Sequence, residues 1–373
     1  MKIGINATIV DPSSSGLGVY AINVIRELAL LHPPILVYTS APELVKNNGV
    51  DVHEVSDAVR ASRGFRGHVA RVLWAHLSFP KRLREAQVSV LLSPTPLEAV
   101  LNSPVPQVLV VHDILPLRFP DSYPRQKYYY RTVVPRLLNR SARIVAVSNT
   151  TKEEVVTAYG IAPERVEVVY NGCDHNRFNQ IEAGKSSLPD EVREPYLLYV
   201  GNLFPHKNLH RLLEAFALVA GELAHQLVIV GYRDPRFYPS LHAAACSLGI
   251  KTRVIFLDYV PSEMLPPLYR RADWLILPSL FEGFGMPPIE AMACGTPVLV
   301  SRTAALEETV GEAGIFFDPL NARDMGDKIF EACSDSGKRQ QFRELGVKKG
   351  AVFTWKKTAN ELLQLLKEAE NNS

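Results

Sequence analysis

The sequence predicts an α/β protein of two doubly wound domains. Three observations carry this. Short apolar runs alternate throughout with longer segments of helical period. Several runs are apolar at every position, as parallel strands covered by helices on both faces require. Twelve such runs are too many for one ordinary sheet and fit two sheets of about six each. With roughly 100–200 residues per domain as the norm, 373 residues also suit two domains.

The strand candidates in chain order are Lys2–Asn6, Ile35–Tyr38, Val88–Leu92, Gln107–Val111, Arg143–Val147 and Val166–Val169, then Tyr196–Val200, Gln226–Val230, Val254–Leu257, Trp274–Leu277, Pro297–Val300 and Gly314–Phe317. Between the two groups, NQIEAGKSSLPDEVREP is polar and ends in Pro195 before a fresh strand. It reads as a linker. The predicted layout is residues 1–180, a linker over 181–194, and residues 195–354. Residues 1–190 carry 21 basic and 17 acidic side chains, net +4; residues 191–373 carry 20 and 22, net −2. The last segment, Trp355–Glu370, has apolar residues on one helical face. It either docks on the domain before it or returns to the first.

Composition excludes several classes. At 47% hydrophobic and 21% charged residues the chain buries a large core rather than remaining disordered. A net charge of +2 argues against a nucleic-acid partner. Four cysteines without C-x-x-C spacing argue against a zinc site and for reduced thiols. The N-terminal MKIGINATIV is too short and polar for a signal peptide. No apolar run nears the ~18 residues of a bilayer span. The expectation is a cytoplasmic protein, free or peripheral on the inner face of a membrane.

Three segments place glycine or proline after a strand and before a helix, where doubly wound sheets bind ligands. The first is Ser13-Ser14-Ser15-Gly16-Leu17-Gly18 ahead of a helix from about Val19 to Leu31. It lacks the third glycine of G-x-G-x-x-G and equally suits a plain turn. The second runs from Gly201 and Asn202 to His206, Lys207 and Asn208. A cation ahead of a helix opposes the macrodipole unless an anion joins it; a solvated surface lysine is the plainer alternative. The third is Glu282-Gly283-Phe284-Gly285-Met286-Pro287-Pro288-Ile289-Glu290, leading to Cys294-Gly295-Thr296-Pro297. Seven residues separate the two carboxylates: one in the loop, the other expected in the first helical turn. Both suit hydroxyl-bearing ligands such as sugars.

This last segment resembles the E-x7-E signature of retaining glycosyltransferase family 4, and four further segments agree in order: Val110–Ile114 with His112-Asp113, Ala146–Asn149, Val169–Asp174, and Pro195–Phe216. The patterns LWAHLSFP, HDILPLRFP and PHKNL are most similar to bacterial polysaccharide mannosyltransferases. The resemblance implies the GT-B fold, two facing Rossmann-like domains with a deep cleft between them. It implies that Lys207 meets the donor diphosphate, that Gly16 and Leu17 bring backbone to the same phosphates, and that Glu282 bonds the donor sugar beside Gly283, Phe284, Gly285 and Met286. It assigns Glu290 to the ribose, His112 to the neighbourhood of the sugar, and Gly231, Tyr232, Tyr259 and Val260 to the base. Catalytic roles fall to His112, Lys207 and Glu282, and donor contacts also to Gly201, Asn202 and His206.

The chain departs from the family pattern twice. Asn202 stands where arginine is common, with His206 a pH-dependent substitute, and Asp258 stands where glycine is common. No carboxylate in the matched segments offers itself as a nucleophile, so same-face departure and attack is expected. With no D-x-D in the chain, no metal and no cofactor is expected. The donor expected is a nucleotide sugar, GDP-mannose ahead of UDP-glucose, UDP-N-acetylglucosamine and dTDP-rhamnose. The acceptor expected is a lipid-linked or polysaccharide glycan. The rival classes are a nucleotide-sugar epimerase and a non-catalytic nucleotide-sugar binder.

Residues 60–84 hold seven basic side chains and no acidic ones, interleaved with Phe65, Leu73, Trp74, Leu77 and Phe79. Residues 118–143 add seven more against Asp121 alone. These stretches are either solvated helix faces or a peripheral contact with anionic lipid through 60–84.

Overall fold

The computed structural model describes residues 1–12, 16–31, 34–46, 49–181 and 188–371. They form two compact units, Met1–Gly172 with Thr354–Ser373, and Cys173–Phe353.

The first unit holds a seven-stranded, all-parallel sheet of order β3-β2-β1-β4-β5-β6-β7. Its strands are β1 Ile3–Asn6, β2 Ile35–Thr39, β3 Asp51–Glu54, β4 Val90–Ser93, β5 Gln107–Val111, β6 Arg143–Ala146 and β7 Val166–Val168. The central strands are buried at every residue. The strand β3 was not anticipated. Its sequence DVHE is polar and half exposed, held at the sheet edge by pairing with β2 in the register Val37↔Val52. An edge strand needs no apolar face, so the periodicity that marks the others is missing. The helix Trp355–Asn371 belongs to this unit and packs on the helix Gly16–Leu31, with Trp355 edge-on to Tyr20 at 5.6 Å.

The second unit holds a six-stranded parallel sheet of order β10-β9-β8-β11-β12-β13. Its strands are β8 Tyr196–Val200, β9 Gln226–Val230, β10 Val254–Leu257, β11 Trp274–Leu277, β12 Val298–Ser301 and β13 Gly314–Phe317. The compact units divide after Gly172, ahead of the expected linker, of which 182–187 lie outside the described residues. The reason is local. The Cys173 amide donates to the Phe353 carbonyl at 3.1 Å, His175 bonds the same oxygen, and Phe178 packs edge-on against Tyr269. These contacts attach 173–178 to the second unit.

Each sheet reverses its winding once, between β1 and β4 in the first unit and between β8 and β11 in the second. Parallel α/β sheets open a crevice at the carboxyl ends of the strands at such a point.

Candidate active site

In the second unit, the loops after β8 and β11 flank the crevice. After Val200 the chain turns through Gly201 and Asn202 into a 3-10 turn, Pro205–Lys207. Asn208 is left-handed at φ 60° and precedes the helix Leu209–Val219. That strained residue is held because its side-chain amide donates to the Pro278 and Pro319 carbonyls at 3.0 and 2.7 Å. Lys207 is thereby fixed ahead of the helix, and its Nζ donates to Glu282 Oε1 at 2.6 Å. Ser279 Oγ donates to the same oxygen at 2.6 Å. The pair is well shielded, at 13% and 11% side-chain exposure.

His206, next to Lys207, is buried, and its carbonyl accepts from the Leu280 amide at 2.8 Å. Burial first, then the neighbouring Lys207 charge, pushes its imidazole down to about 4 against the opposing pull of Glu282. At neutral pH it adds no positive charge. Asn202 is exposed, and its carbonyl accepts from Tyr199 at 2.6 Å. Among the described residues of this loop, Lys207 is therefore the cation available to a diphosphate.

Gly285, at φ 89°, caps the helix Met286–Ala293, and a Cβ there would meet Leu306 at 2.6 Å. The helix begins at Met286, so Glu290 opens its second turn, one or two residues further in than the sequence suggested. It is partly exposed and accepts from the Tyr269 hydroxyl at 2.9 Å. Burial pushes its carboxyl up to about 7, opposed by the Tyr269 bond and the Arg177 charge. Gly283 and Phe284 are buried, and Met286 is partly so.

Gly231 follows β9, and its own place is forced: a Cβ there would lie 1.9 Å from the Gly201 carbonyl oxygen. Tyr232 and Tyr259 are 62% and 65% exposed, with Val260 partly buried beside the latter. Asp258 accepts from the Arg233 and Tyr259 amides at 3.1 and 2.9 Å, a loop-fixing role that glycine could not play. Replacing Gly231 by alanine should destabilise the fold by about 2 kcal/mol or more, read as a lowered melting temperature. An unchanged melt would mean the loops after β8 and β9 part freely.

In the first unit, Gly16 and Leu17 open the helix Gly16–Leu31 just after β1, both accessible; Ser13–Ser15 lie outside the described residues. His112 follows β5. Its Nε2 lies 2.9 Å from the Pro94 carbonyl, and Tyr20 meets its ring edge-on at 4.5 Å. Burial pushes the imidazole down to about 4, the Pro94 contact pulling the other way. A neutral ring bonded to a carbonyl through Nε2 donates there, leaving Nδ1 the acceptor.

The structure thus joins Lys207, Ser279 and Glu282 in one contact, and Glu290 with Tyr269 in another. Ser279, Tyr269 and Tyr20 escaped the sequence reading, and Asn208 was named there without a role. Only Asn208 carried a signal, as a residue tolerant of the left-handed region just before a helix. Among the described residues no cluster of three metal-ligating side chains occurs, and no helix is long and apolar enough to cross a membrane.

Two parallel-sheet α/β units, each reversing its winding once, have the architecture of the GT-B fold. Residues 14–177 match the family model described as Glycosyltransferase Family 4, and residues 180–349 match Glycosyl transferases group 1. Together the two matches span most of the chain and show it to be a glycosyltransferase. Among curated proteins it is similar to O-antigen chain mannosyltransferase RfbU of Salmonella typhimurium, 33% identical over 57% of each chain. It is also similar to O-antigen chain mannosyltransferase B of Escherichia coli, 27% identical over 70% of each. The match to the first spans little more than half of that relative's length. Among solved structures, sucrose-phosphate synthase from Thermosynechococcus elongatus superposes with TM-score 0.80 at 19% identity, covering both chains fully. Anabaena HepE in complex with UDP and glucose superposes at 0.77 and 20%, covering 99% of this chain and 100% of that one. These two share the fold.

Proposed function

We propose that the protein transfers a hexose, mannose from GDP-mannose in the first instance, to a lipid-linked or polysaccharide acceptor in cell-surface glycan synthesis, at the inner face of the cytoplasmic membrane. The observation that carries the reading is the shielded Lys207–Glu282 pair at the winding reversal. An ammonium and a carboxylate held there suit the two ends of an activated sugar. The donor diphosphate draws Lys207, and sugar hydroxyls donate to Glu282. As the bond from the anomeric carbon to the diphosphate breaks, charge builds on the leaving oxygens, and Lys207 stabilises it. The acceptor oxygen bonds the anomeric carbon from the same face, and its proton passes to the departing phosphate. The product keeps the anomeric configuration, and the chain supplies no covalent nucleophile and needs no metal. A neutral His112 serves as a hydrogen-bonding group for the sugar rather than as a charge. The mannosyltransferase relatives support the sugar.

A thermal-shift screen against GDP, UDP, dTDP and ADP tests the base, since a ligand of the native state raises its stability. GDP should give the largest shift. A larger shift with UDP would replace the donor, in the direction of the UDP-bound fold neighbour. NMR of the product from the matching nucleotide sugar then reads the anomeric configuration, and inversion would overturn the mechanism. Epimerised donor formed without acceptor would favour an epimerase.

A further inference from the structure

The helical run over residues 64–85 of the first unit is apolar on two sides, with Phe79 and Leu83 in the core and a second row of apolar groups facing outward. It comprises Gly64–Leu73, a π turn Trp74–Ser78, and Phe79–Glu85. At four-residue spacing Gly67, Arg71, Ala75 and Phe79 are buried. At the same spacing Phe65, Val69, Leu73 and Leu77 are 53%, 39%, 53% and 73% exposed. Residues four apart share one side of a helix. The π turn winds more slowly than α-helix and offsets the drift of a four-residue step. The buried side carries a charge: the Arg71 guanidinium lies 3.5 Å from Glu98, both side chains being at most 5% exposed. The open side carries Phe65, Val69, Leu73 and Leu77. An ordinary surface helix turns a polar face to solvent, so folding of this unit does not account for the outward stripe.

The stripe has a basic surround. Arg63, just ahead of the run, and Arg66 on it are exposed, and the Arg125 guanidinium sits 4.5 Å over the Phe65 ring. Lys127 lies 5.3 Å over the ring of exposed Tyr128. Nearby carboxylates are few: Asp57 pairs with Arg60 and Arg63, and Glu85 with Lys81. Among the described residues no ion pair engages Arg66 or Arg125. A second copy of this face would bring the same basic surround against itself, whereas a phosphate-covered apolar layer complements both features.

We propose that this face docks on an anionic phospholipid bilayer. Phe65, Val69, Leu73 and Leu77 enter the boundary between headgroups and acyl chains, and the surrounding arginines meet lipid phosphates. This names the surface and the lipid chemistry of the membrane contact in the proposed function, and rests on that reading.

The test is flotation of the full chain with vesicles of phosphatidylcholine alone or mixed with phosphatidylglycerol. The protein should float with the mixed vesicles only, and less in high salt. The double variant Leu73→Glu, Leu77→Glu should bind at least about tenfold more weakly with an unchanged melting temperature, both residues being exposed. Equal flotation of the variant overturns the proposal. So does a dimer in vesicle-free buffer that the variant turns into a monomer, which would make the face a self-association surface. Vesicle binding needs no donor, so it stands or falls apart from the reaction. Transfer to a water-soluble acceptor should be equal in variant and parent; an equal loss of transfer would place the stripe in the acceptor site instead.

Discussion

Lys207→Ala should lower kcat by about 10²–10³-fold, the range seen when one preorganised charge-stabilising donor is removed. The variant should still fold. Glu282 keeps the Ser279 hydroxyl at 2.6 Å, and the turn that carries residue 207 is held by Asn208 rather than by the lysine. The loss should fall mainly on turnover, because charge on the leaving diphosphate grows as its bond to the sugar lengthens. His206 cannot replace the missing cation, since it sits buried with its pKa pushed down to about 4. Steady-state transfer rates beside a melting curve decide the matter. Parental rates in a folded variant would remove Lys207 from the chemistry.

Glu290→Ala should weaken donor binding by roughly 10–150-fold, the equivalent of about 1.5–3 kcal/mol for hydrogen bonds to a charged group. Isothermal titration with the nucleoside diphosphate measures it, and unchanged affinity would contradict the ribose role. The carboxyl titrates near neutrality, pushed up to about 7 by burial from its ordinary 4.5. Two consequences follow in pH. Donor affinity of the parent should rise between about pH 6 and about pH 8 as the carboxylate forms, and stay flat in Glu290→Gln. Folding stability should run the other way. A raised native pKa gives stability that is complete below the unfolded value and disappears as pH climbs through the native one. Glu290→Gln should therefore gain on the parent as pH rises through 7. A constant difference in melting temperature across that range would show that the carboxyl titrates elsewhere.

Much of the architecture was legible in the sequence because parallel strands buried on both faces are apolar throughout. β5, β8, β9, β10, β11 and β13 begin and end where the apolar runs do. β3 was illegible for the opposite reason, an edge strand with polar side chains held by backbone pairing to β2. Backbone geometry demands glycine at Gly285, which the sequence reading singled out, and at Gly231, which only the family resemblance singled out. The candidate site was not readable where a contact depends on tertiary neighbours. Tyr269 reaches Glu290 from 21 positions away, and Ser279 shares Glu282 with a lysine 75 positions from it. The position of Glu290 one turn into its helix turned on where the left-handed Gly285 starts that helix, which Pro287 and Pro288 leave ambiguous. The charge state of His206 is likewise a property of its burial, which no local pattern records.

The return of Trp355–Asn371 to the first unit bears on how a growing polypeptide matures. Tyr20, the ring against which His112 rests, is backed by Trp355, and Leu362 and Leu366 of that helix are wholly buried. During synthesis the seven-stranded sheet emerges long before these residues do, and an apolar flank waits uncovered. The later-encoded unit, continuous in sequence, can complete itself first, reversing the usual order in which domains fold on the ribosome. A polypeptide arrested after Phe353 would carry a finished second unit joined to an exposed, aggregation-prone partner.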